Sequence, residues 1–400
     1  MVSTLFVLLF TAFYGTLVLY LKEDIMVSII EVTTQALLRQ FVEYPNILYK
    51  DVPQFVPATF NDDMSDWNRH KNPAFDYCEA RCWVAKRNGE MVGRIGAILS
   101  HRANEKWHTR RMRFTQVDFI DDEQVSNALF ATVERWAREK ECDEVHGPLG
   151  FTDLDREGML VEGFDRRSCF FTYYNHPYYI DHLTRLGYVK DVDWVENLIQ
   201  VPRDEKIIQR WKKLSDFVAK RCDLHVYQVT TRLGYIPVMR KFFQLVNTCY
   251  APLYGTVELS DRQISRYAAK FAPLINPKLA CFVMNEQNEM VAMGVAAPSI
   301  ASALQKSRGK YFPMGWTDLL RSFLKNDTID LLLIAVRPDY QKKGVNAMII
   351  YHVMQGCLKL NIKEAETGPM LELNENVRSQ WKDFDIEQHK RRRCFIKKLV

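Results

Sequence analysis

The stretch DLLLIAVRPDYQKKGVNAMIIYHV, Asp330–Val353, predicts a strand, a short basic loop and a helix. Its apolar run Leu331–Val336 is followed by a loop with an amide, two lysines and Gly344, and then by apolar residues at helical spacing. Such a loop presents unpaired backbone N–H groups and the positive end of a helix dipole to a phosphate, and glycine lets the backbone come close. The stretch therefore predicts a phosphate-binding loop; an ordinary turn with two solvated lysines is the alternative.

The composition indicates folded domains. The chain has 400 residues, of which 47% are apolar and 12% aromatic, enough for the cores of two or three domains. Its net charge of +5 is small for this length, so we expect no general nucleic-acid surface. Cys78 and Cys82 lack a second pair of ligands, so we predict no metal site, reduced thiols and a cytoplasmic location.

An apolar segment opens the chain, and residues 1–25 form a region of their own. Thr4–Leu21 carries no charged residue over eighteen positions, near the minimum length for a membrane helix, and a cleaved signal peptide fits less well. Attachment to the inner membrane is one interpretation. The other is a misassigned start, because Met26 opens a credible strand.

Three short matches in the same order indicate an internal duplication. They relate residues 26–202 to residues 203–400, and we predict strands and helices around a mixed sheet in each half. The second half has an insertion between its hairpin and the strand Leu331–Val336. The first half also carries Asn88-Gly89, a strong hairpin signal. The matched segments are Glu90-Met91-Val92 with Glu289-Met290-Val291, Asn127-Ala128 with Asn346-Ala347, and Gly147-Pro148 with Gly368-Pro369.

The aligned halves differ at the predicted phosphate loop. Gln341–Gly344 stands opposite Asp122–Val125, where two carboxylates replace an amide and a lysine, and valine replaces glycine. Carboxylates repel phosphate, and valine resists a close approach of the backbone. Only the second half is therefore predicted to bind a diphosphate.

The loop resembles the pyrophosphate-binding loop of the GNAT superfamily of acyl-CoA N-acyltransferases. That pattern is Arg or Gln, two residues, Gly, one residue, then Gly or Ala; here Asn346 holds the last position. The resemblance implies an α/β fold with two tandem GNAT-like domains and acyl-CoA as co-substrate. It implies CoA contacts from Ile334, Ala335, Val336, Gln341, Lys342, Lys343, Gly344, Val345, Asn346 and Ala347.

A long loop in the first half, Gly147–Leu183, is dense in carboxylates and tyrosines. Long ordered loops tend to be functional, carboxylates bind or deprotonate an ammonium, and tyrosines offer an apolar wall with a hydroxyl. Turn formation and packing are the alternatives for each residue. Glu157 is the candidate catalytic carboxylate, and the candidate acceptor-binding residues are Asp153, Asp155, Tyr173, Tyr174, Asn175, Tyr178 and Tyr179.

The same loop resembles two-domain bacterial proteins similar to bacterial ceramide synthases. The shared run is Gly-Pro, an acidic residue before Gly, an aliphatic run into Gly-Phe-Asp, then Tyr-Asn and Pro-Tyr-Tyr. The likeness extends from about Met26 to the C-terminus and implies transfer of a fatty acyl group to the amine of a sphingoid base. The motifs here are Gly147-Pro148, Glu157-Gly158, Met159-Leu160-Val161, Gly163-Phe164-Asp165, Tyr174-Asn175 and Pro177-Tyr178-Tyr179.

Amine acylation requires a base, a positioned thioester and donors for the oxyanion. Glu372 is a candidate base acting through a water, and Asn374 a candidate ligand for the pantetheine; helix capping is the alternative for Asn374. The sequence contains no nucleophile elbow, HExxH or Walker loop, which favours direct attack without an acyl-enzyme.

The C-terminal run HKRRRCFIKKL, from His389, is expected to be the last strand of the second sheet with its charges in water. A polybasic contact with an anionic bilayer is the alternative.

Three functions remain open: acylation of a lipid amine, acylation of a small amine or aminoacyl group, and a non-catalytic GNAT-fold binding module. We expect an acceptor-binding first half and an acyl-CoA-binding second half.

Overall fold

The computed structural model describes residues 26–228, 234, 236–272 and 275–399. The apolar segment 1–25, predicted as a membrane anchor or an untranslated start, lies outside these residues. Within them, every helix is too short or too polar to cross a bilayer.

The described chain alternates strands and helices in both halves. In the first half these are β1 Ser28–Glu31, α1 Gln35–Leu48, α2 Phe60–Asp66, β2 Cys78–Arg87, β3 Glu90–Ser100, α3 His101–Trp107, β4 Arg111–Phe119, α4 Glu123–Glu139, β5 Glu144–Gly147, β6 Met159–Glu162, α5 Tyr178–Arg185 and β7 Val189–Gln200. In the second half they are α6 Glu205–Arg221, β8 His225–Val226, α7 Ile236–Tyr250, α8 Asp261–Phe271, β9 Ala280–Met284, β10 Met290–Pro298, α9 Ala301–Ser307, α10 Gly315–Leu324, β11 Thr328–Val336, α11 Asn346–Lys359, β12 Glu364–Thr367, β13 Met370–Leu371, α12 Glu375–Arg378 and β14 Ile386–Lys398.

The strands form one mixed sheet. Its order is β1-β2-β3-β4-β5-β14-β7-β12-β11-β10-β9-β8, with β6 paired to β14 and β13 paired to β7. The predicted hairpin is present between β2 and β3, and its turn residues Asn88 and Gly89 both have positive φ, as a tight two-residue turn requires. The mixed α/β sheet predicted from the sequence is confirmed.

Helices cover both faces of the sheet. Cys281 and Val283 of β9 pack in a cluster with residues of α6 and α11. Ala280, Phe282 and Met284, which alternate with them, pack in a different cluster with residues of α7 and α8. Since successive strand residues point to opposite faces, α6 and α11 lie on one face of the second half and α7 and α8 on the other.

The C-terminal strand was predicted to be the last strand of the second sheet with its charges in water, and this prediction is wrong. β14 lies between β5 and β7, beside strands of the first half, and pairs with both in antiparallel register. Two of its charges are not in water: Lys390 is 1% exposed and Arg392 0% exposed, whereas Lys398 is exposed. The sequence cannot show this, because the burial of a charged strand depends on partners from distant segments.

A buried ion network compensates the charges of β14. Lys390 contacts Glu196 of β7 at 2.9 Å and also Glu366 of β12, and Arg392 contacts Glu196. His389 lies 3.2 Å from Glu366. Burial alone raises the pKa of Glu366, but the hydrogen bond from His389 and the charge of Lys390 outweigh it and lower the pKa to about 2. The network therefore joins three strands where the two halves of the sheet meet.

Glu196→Gln is expected to lower the free energy of unfolding by about 3–5 kcal/mol, because it leaves two buried cations without their shared carboxylate. Urea unfolding of both proteins measures this difference. Glu79→Gln, which removes an exposed ion pair with Lys140, is the control and should cost less than about 1 kcal/mol. Equal losses in the two variants would contradict the role given to the network.

Candidate active site

The sheet opens between β11 and β12. The two strands pair in parallel register only from Thr328 to Leu331, opposite Glu364 to Thr367. Beyond this point β11 continues beside β10, whereas the chain after β12 turns to β13, which pairs with β7. A wedge-shaped gap results on the side of Leu332–Val336.

A bulge in β11 marks the start of the gap. Leu331 and Leu333 stand opposite the consecutive residues Ala296 and Val295 of β10, so Leu332 has no partner in that register. A bulge bends its strand and increases the local twist. We attribute the separation of β11 from β12 to this extra residue.

Backbone N–H groups of β11 beyond the bulge point into the gap. The carbonyl of Ile334 accepts a hydrogen bond from the Tyr250 hydroxyl at 3.2 Å, and the carbonyl of Val336 accepts one from the Gln341 amide at 3.1 Å. In a strand the N–H and C=O of one residue point the same way. The N–H groups of Ile334 and Val336 therefore face the gap, whereas Ala335 between them faces β10.

The predicted phosphate loop lies at the start of α11. Gln341, Lys342 and Lys343 are exposed, and the backbone at Gly344 has a φ of 82°. Within the described part of the chain, the N–H groups of residues 342–345 have no hydrogen-bond acceptor. Unpaired N–H groups and the adjacent helix N-terminus form an environment that favours an anion.

The side chains of the next loop residues are partly or fully buried. Val345 and Ala347 are buried and pack under α6 and beside β11, while Asn346 is partly exposed at the first turn of α11. A Cβ at Gly344 would lie 3.2 Å from the Val218 side chain, so α6 limits the space behind the loop.

The matching loop of the first half is closed by its own carboxylate. Asp122 accepts hydrogen bonds from the N–H groups of Gln124 at 2.8 Å and Val125 at 3.2 Å, and it forms an ion pair with Arg87 at 2.8 Å. The hydrogen bond from Arg87 keeps the pKa of Asp122 below its usual value. The N–H groups that would hold a phosphate are thus already occupied.

Side chains also fill the gap of the first half. The Tyr179 hydroxyl accepts a hydrogen bond from the N–H of Phe119 at 2.8 Å and lies 2.9 Å from the Tyr49 hydroxyl, while Tyr178 donates to the carbonyl of Phe119. The Tyr179 ring is fully buried and stacks on Phe119 at 4.2 Å. The assignment of Tyr178 and Tyr179 to acceptor binding is therefore corrected: both rings serve packing.

Two more predicted acceptor residues are structural. Asn175 is buried and bonds the N–H of Leu160 at 2.7 Å and its carbonyl at 3.0 Å, which joins the loop to β6. Tyr174 is buried beside Tyr49 and Leu160. Neither residue lines the large cavity described next, because the side chains of both are buried in contacts inside the first half.

A cavity of about 300 Å³ occupies the gap between β11 and β12. Its walls come from both faces of the sheet and are mostly apolar, so it passes through the sheet where the strands separate. Residues on the α11 face include Ile349, Ile350, Val353, Met354, Trp381 and Phe384, and those on the α7 face include Met239, Phe242, Phe243, Tyr250 and Phe271.

Three carboxylates of the first half reach this cavity. Asp153, Asp155 and Glu157 line it, beside Phe170 and Phe171. In the described residues, the carboxylates of Asp153 and Glu157 have no hydrogen-bond partner. Burial raises the pKa of Asp153 to about 6 and, with the charge of Asp153, raises the pKa of Glu157 well above its usual value. A raised pKa makes a carboxylate a stronger base, so both are candidates to accept a proton.

Contacts from the second half hold this acidic loop in place. Asp155 accepts hydrogen bonds from the N–H of Thr152 at 3.0 Å and from the Tyr267 hydroxyl of α8 at 3.0 Å. Arg113 of β4 donates to the carbonyls of Gly150 and Gly255, at 2.9 and 2.7 Å. Asp155 is therefore held by contacts within the protein, and Asp153 and Glu157 remain as the candidate proton acceptors.

Tyr173 lies near the carboxylates without lining the large cavity. It lines a neighbouring cavity of about 100 Å³ whose walls include Asp155, Phe170 and Phe171, which line the large one as well. Its hydroxyl lies 3.4 Å from that of Thr115. Tyr173 thus remains a candidate acceptor contact.

Glu372 does not meet the requirements for a base. Its carboxylate binds Lys190 at 2.7 Å and Arg391 at 2.6 Å, and these bonds hold its pKa below the usual value. It is absent from the residues that line the cavity. Asn374 does line the cavity, and its side chain also caps α12 by accepting from the N–H of Val377 at 3.3 Å.

The apolar wall from α7 was missing from the sequence prediction. Phe242, Phe243 and Tyr250 lie at the spacing of a buried helix face, which the sequence does not distinguish from ordinary core. Only the opening of the sheet turns these residues into the lining of a cavity.

Two curated proteins resemble the chain over most of its length, and no family model matches it. Protein YghO of Escherichia coli (strain K12) is 27% identical over 371 residues, which are 90% of this chain and 93% of that protein. The bacterial ceramide synthase of Caulobacter vibrioides is 24% identical over 362 residues, 87% of this chain and 91% of that protein. The second relative supports the resemblance found in the sequence.

Solved structures show the same fold. A tandem GNAT protein from the clavulanic acid biosynthesis pathway matches 93% of this chain and 98% of its own, with a TM-score of 0.54 and 11% identity. A GCN5-related glucosamine N-acetyltransferase region in a fungal multi-domain β-N-acetylglucosaminidase matches 93% of this chain and 38% of its own, with a TM-score of 0.53 and 9% identity. The tandem GNAT fold predicted from the sequence is thereby confirmed.

Glu157→Gln is expected to raise the free energy of unfolding at pH 8. Since the folded-state pKa of Glu157 is raised, its ionisation opposes folding as the pH rises above the value of the unfolded chain, and glutamine removes this cost. Thermal unfolding at pH 4 and pH 8 tests the sign. Glu372→Gln, whose carboxylate has a lowered pKa, should shift stability at pH 8 the opposite way.

Proposed function

We propose that this chain, which has the tandem GNAT fold, is an N-acyltransferase that moves a long-chain acyl group from acyl-CoA to an amine. The observation that carries the proposal is the apolar cavity through the gap of the second half. Its wall contains Ile349 and Ile350 of α11, the helix that follows the basic loop, and the carboxylates of Asp153 and Glu157. Such a site matches a ligand with a diphosphate, an apolar chain and a cationic acceptor.

The second half is the proposed CoA-binding half. The diphosphate binds the unpaired N–H groups of residues 342–345 and the ammonium groups of Lys342 and Lys343. The pantetheine then runs along α11 to the backbone of β11 and to Asn374. In the first half, Asp122 and Tyr179 occupy the corresponding places, so we assign it to the acceptor.

The length of the acyl group is inferred from the cavity wall. An acetyl group would leave most of the apolar lining exposed to water, whereas a fatty acyl chain buries it, at about 25 cal/mol for each Å² removed from water. We therefore propose a long-chain donor.

The carboxylates supply the proton chemistry. Asp153, with a pKa near 6, is ionised at neutral pH and attracts the ammonium of the acceptor. Glu157, whose pKa is raised further, is the stronger base and takes a proton from that ammonium. The neutral nitrogen then forms a bond to the thioester carbon without an acyl-enzyme.

Backbone donors stabilise the intermediate. As the C–N bond forms, the carbonyl electrons move to oxygen, and the N–H groups of Ile334 and Val336 bind this oxyanion. Its collapse breaks the C–S bond and releases the CoA thiolate. The nitrogen still carries one proton more than an amide, and this proton passes to the thiolate, which leaves an amide and the CoA thiol. Glu157 releases its own proton to solvent.

A sphingoid base is the acceptor that we propose. The chain is 24% identical to the bacterial ceramide synthase of Caulobacter vibrioides across 87% of its length. The motifs for which the sequence resembles such proteins include Glu157-Gly158 in the acidic loop. A long-chain amine also has the apolar tail and cationic head that suit the two neighbouring cavities, which share Asp155, Phe170 and Phe171 in their walls.

The full chain, incubated with palmitoyl-CoA and sphinganine, is expected to release thiol and form the N-acyl product detected by mass spectrometry. Omitting the amine or supplying acetyl-CoA should reduce turnover by at least about 100-fold. Glu157→Gln should lower kcat by about 10²–10⁴-fold while CoA binding stays intact. Turnover with acetyl-CoA and a small amine would replace the proposal with small-amine acylation, and no turnover with any pair would favour a binding module.

Lys342→Glu with Lys343→Glu is expected to weaken CoA binding by at least about 100-fold in calorimetry, because two attractions to the diphosphate become repulsions. The control, Lys359→Glu with Lys363→Glu, makes the same charge change near the other end of α11 and should bind CoA as the wild type does. Tight CoA binding by the loop variant would refute this location of the diphosphate.

A further inference from the structure

The insertion between β10 and β11 carries an exposed apolar surface. We call it the apolar face; its side chains are 49–78% exposed. The segment is packed against the fold, because Leu319 and Phe323 on the inner side of α10 contact a cluster with Val56 and Ile300. The members of the apolar face are Phe312, Met314, Trp316, Leu320 and Leu324.

The spacing on α10 forms one stripe. Trp316, Leu320 and Leu324 are four residues apart and thus lie along one side of the helix, with Phe312 and Met314 just before its first turn. Ten residues span about 15 Å, half the thickness of a bilayer core. A short, firmly packed helix with aromatic and aliphatic groups turned outward is suited to lie in a membrane interface.

Basic residues surround the apolar face. Lys306, Arg308 and Lys325 are exposed and, within the described residues, form no ion pair. Lys310 and Arg321 add two more cations, each paired with one carboxylate. This excess of positive charge complements anionic headgroups. A two-fold dimer through the same face would instead bring like charges together.

From this combination we infer that the apolar face docks on the surface of an anionic phospholipid bilayer. The C-terminal basic strand is less suited to this purpose, because Lys390 and Arg392 are buried in the sheet. Its Arg391, Arg393 and Lys397 are held in ion pairs with carboxylates of the fold. The docking helix is one layer of side chains from the site: Phe323 packs in a cluster with Phe170, which lines the large cavity. Docking thus places the cavity beside the membrane.

Hydrogen exchange of the full chain tests the contact directly. Vesicles containing phosphatidylglycerol should slow exchange in residues 311–325 by at least about tenfold, and pure phosphatidylcholine vesicles should do so much less. This readout reports the apolar face itself, whatever residues 1–25 contribute to vesicle binding. Unchanged exchange with phosphatidylglycerol would overturn the inference, as would vesicle-independent protection that rises with protein concentration, which would indicate a second copy.

A variant pair adds a second measurement. Phe312→Ser, Trp316→Ser and Leu324→Ser together should lower partitioning onto phosphatidylglycerol vesicles by at least about tenfold. The matched control replaces the exposed Leu214, Phe217 and Ile236 by serine and should partition as the wild type does. Equal partitioning of both variants, with exchange in 311–325 unprotected, would place the membrane contact elsewhere. Acylation of a water-soluble, short-chain analogue of sphinganine by palmitoyl-CoA without vesicles separates this result from failure of the proposed function.

Discussion

The extra residue at Leu332 is the constraint on which the site depends. A regular β11 would continue beside β12 and seal the sheet with backbone hydrogen bonds. The bulge ends that pairing after Leu331, and the strands part. A strand edge inside a protein normally requires partners for its N–H and C=O groups. Here two carbonyls are bonded by Tyr250 and Gln341, which leaves N–H groups directed at an apolar cavity.

In the first half a strand also separates from its neighbour, but side chains fill the gap that results. Its strand β4 also has an irregular register with β3, at Gln116, and pairs with β5 only as far as Arg113. Tyr179 then inserts its hydroxyl at the backbone of Phe119, and Asp122 caps the following helix. One duplicated unit is thus sealed by its own side chains and the other stays open. The acidic loop of the first half lines the open gap of the second half.

Exchange of the last strands holds these two units together. β14 lies between β5 and β7, so the second half completes the sheet of the first, and the acidic loop lies over the gap of the second. Lys390, Arg392 and Glu196 are buried at this junction, where each charge has its counterpart. A site composed of both halves needs such a rigid junction, because its carboxylates and its gap come from segments far apart in sequence.

Local signals in the sequence were sufficient for much of this structure. The apolar run before Gly344 and the Asn88-Gly89 turn each determine their element within a few residues, and the contrast between Asp122 and Gln341 needs only an alignment of the halves. The tyrosines and the C-terminal strand were misjudged for one reason. Whether Tyr179 lines a site or fills a gap, and whether Lys390 meets water or Glu196, depends on segments over 50 residues away, which composition and spacing do not report.

A crystal structure with a non-hydrolysable long-chain acyl-CoA analogue tests the central claim most directly. We expect the diphosphate at the N–H groups of residues 342–345 and the acyl chain in the gap between β11 and β12. A diphosphate beside Asp122, or a chain that avoids this gap, would contradict the assignment of the two halves.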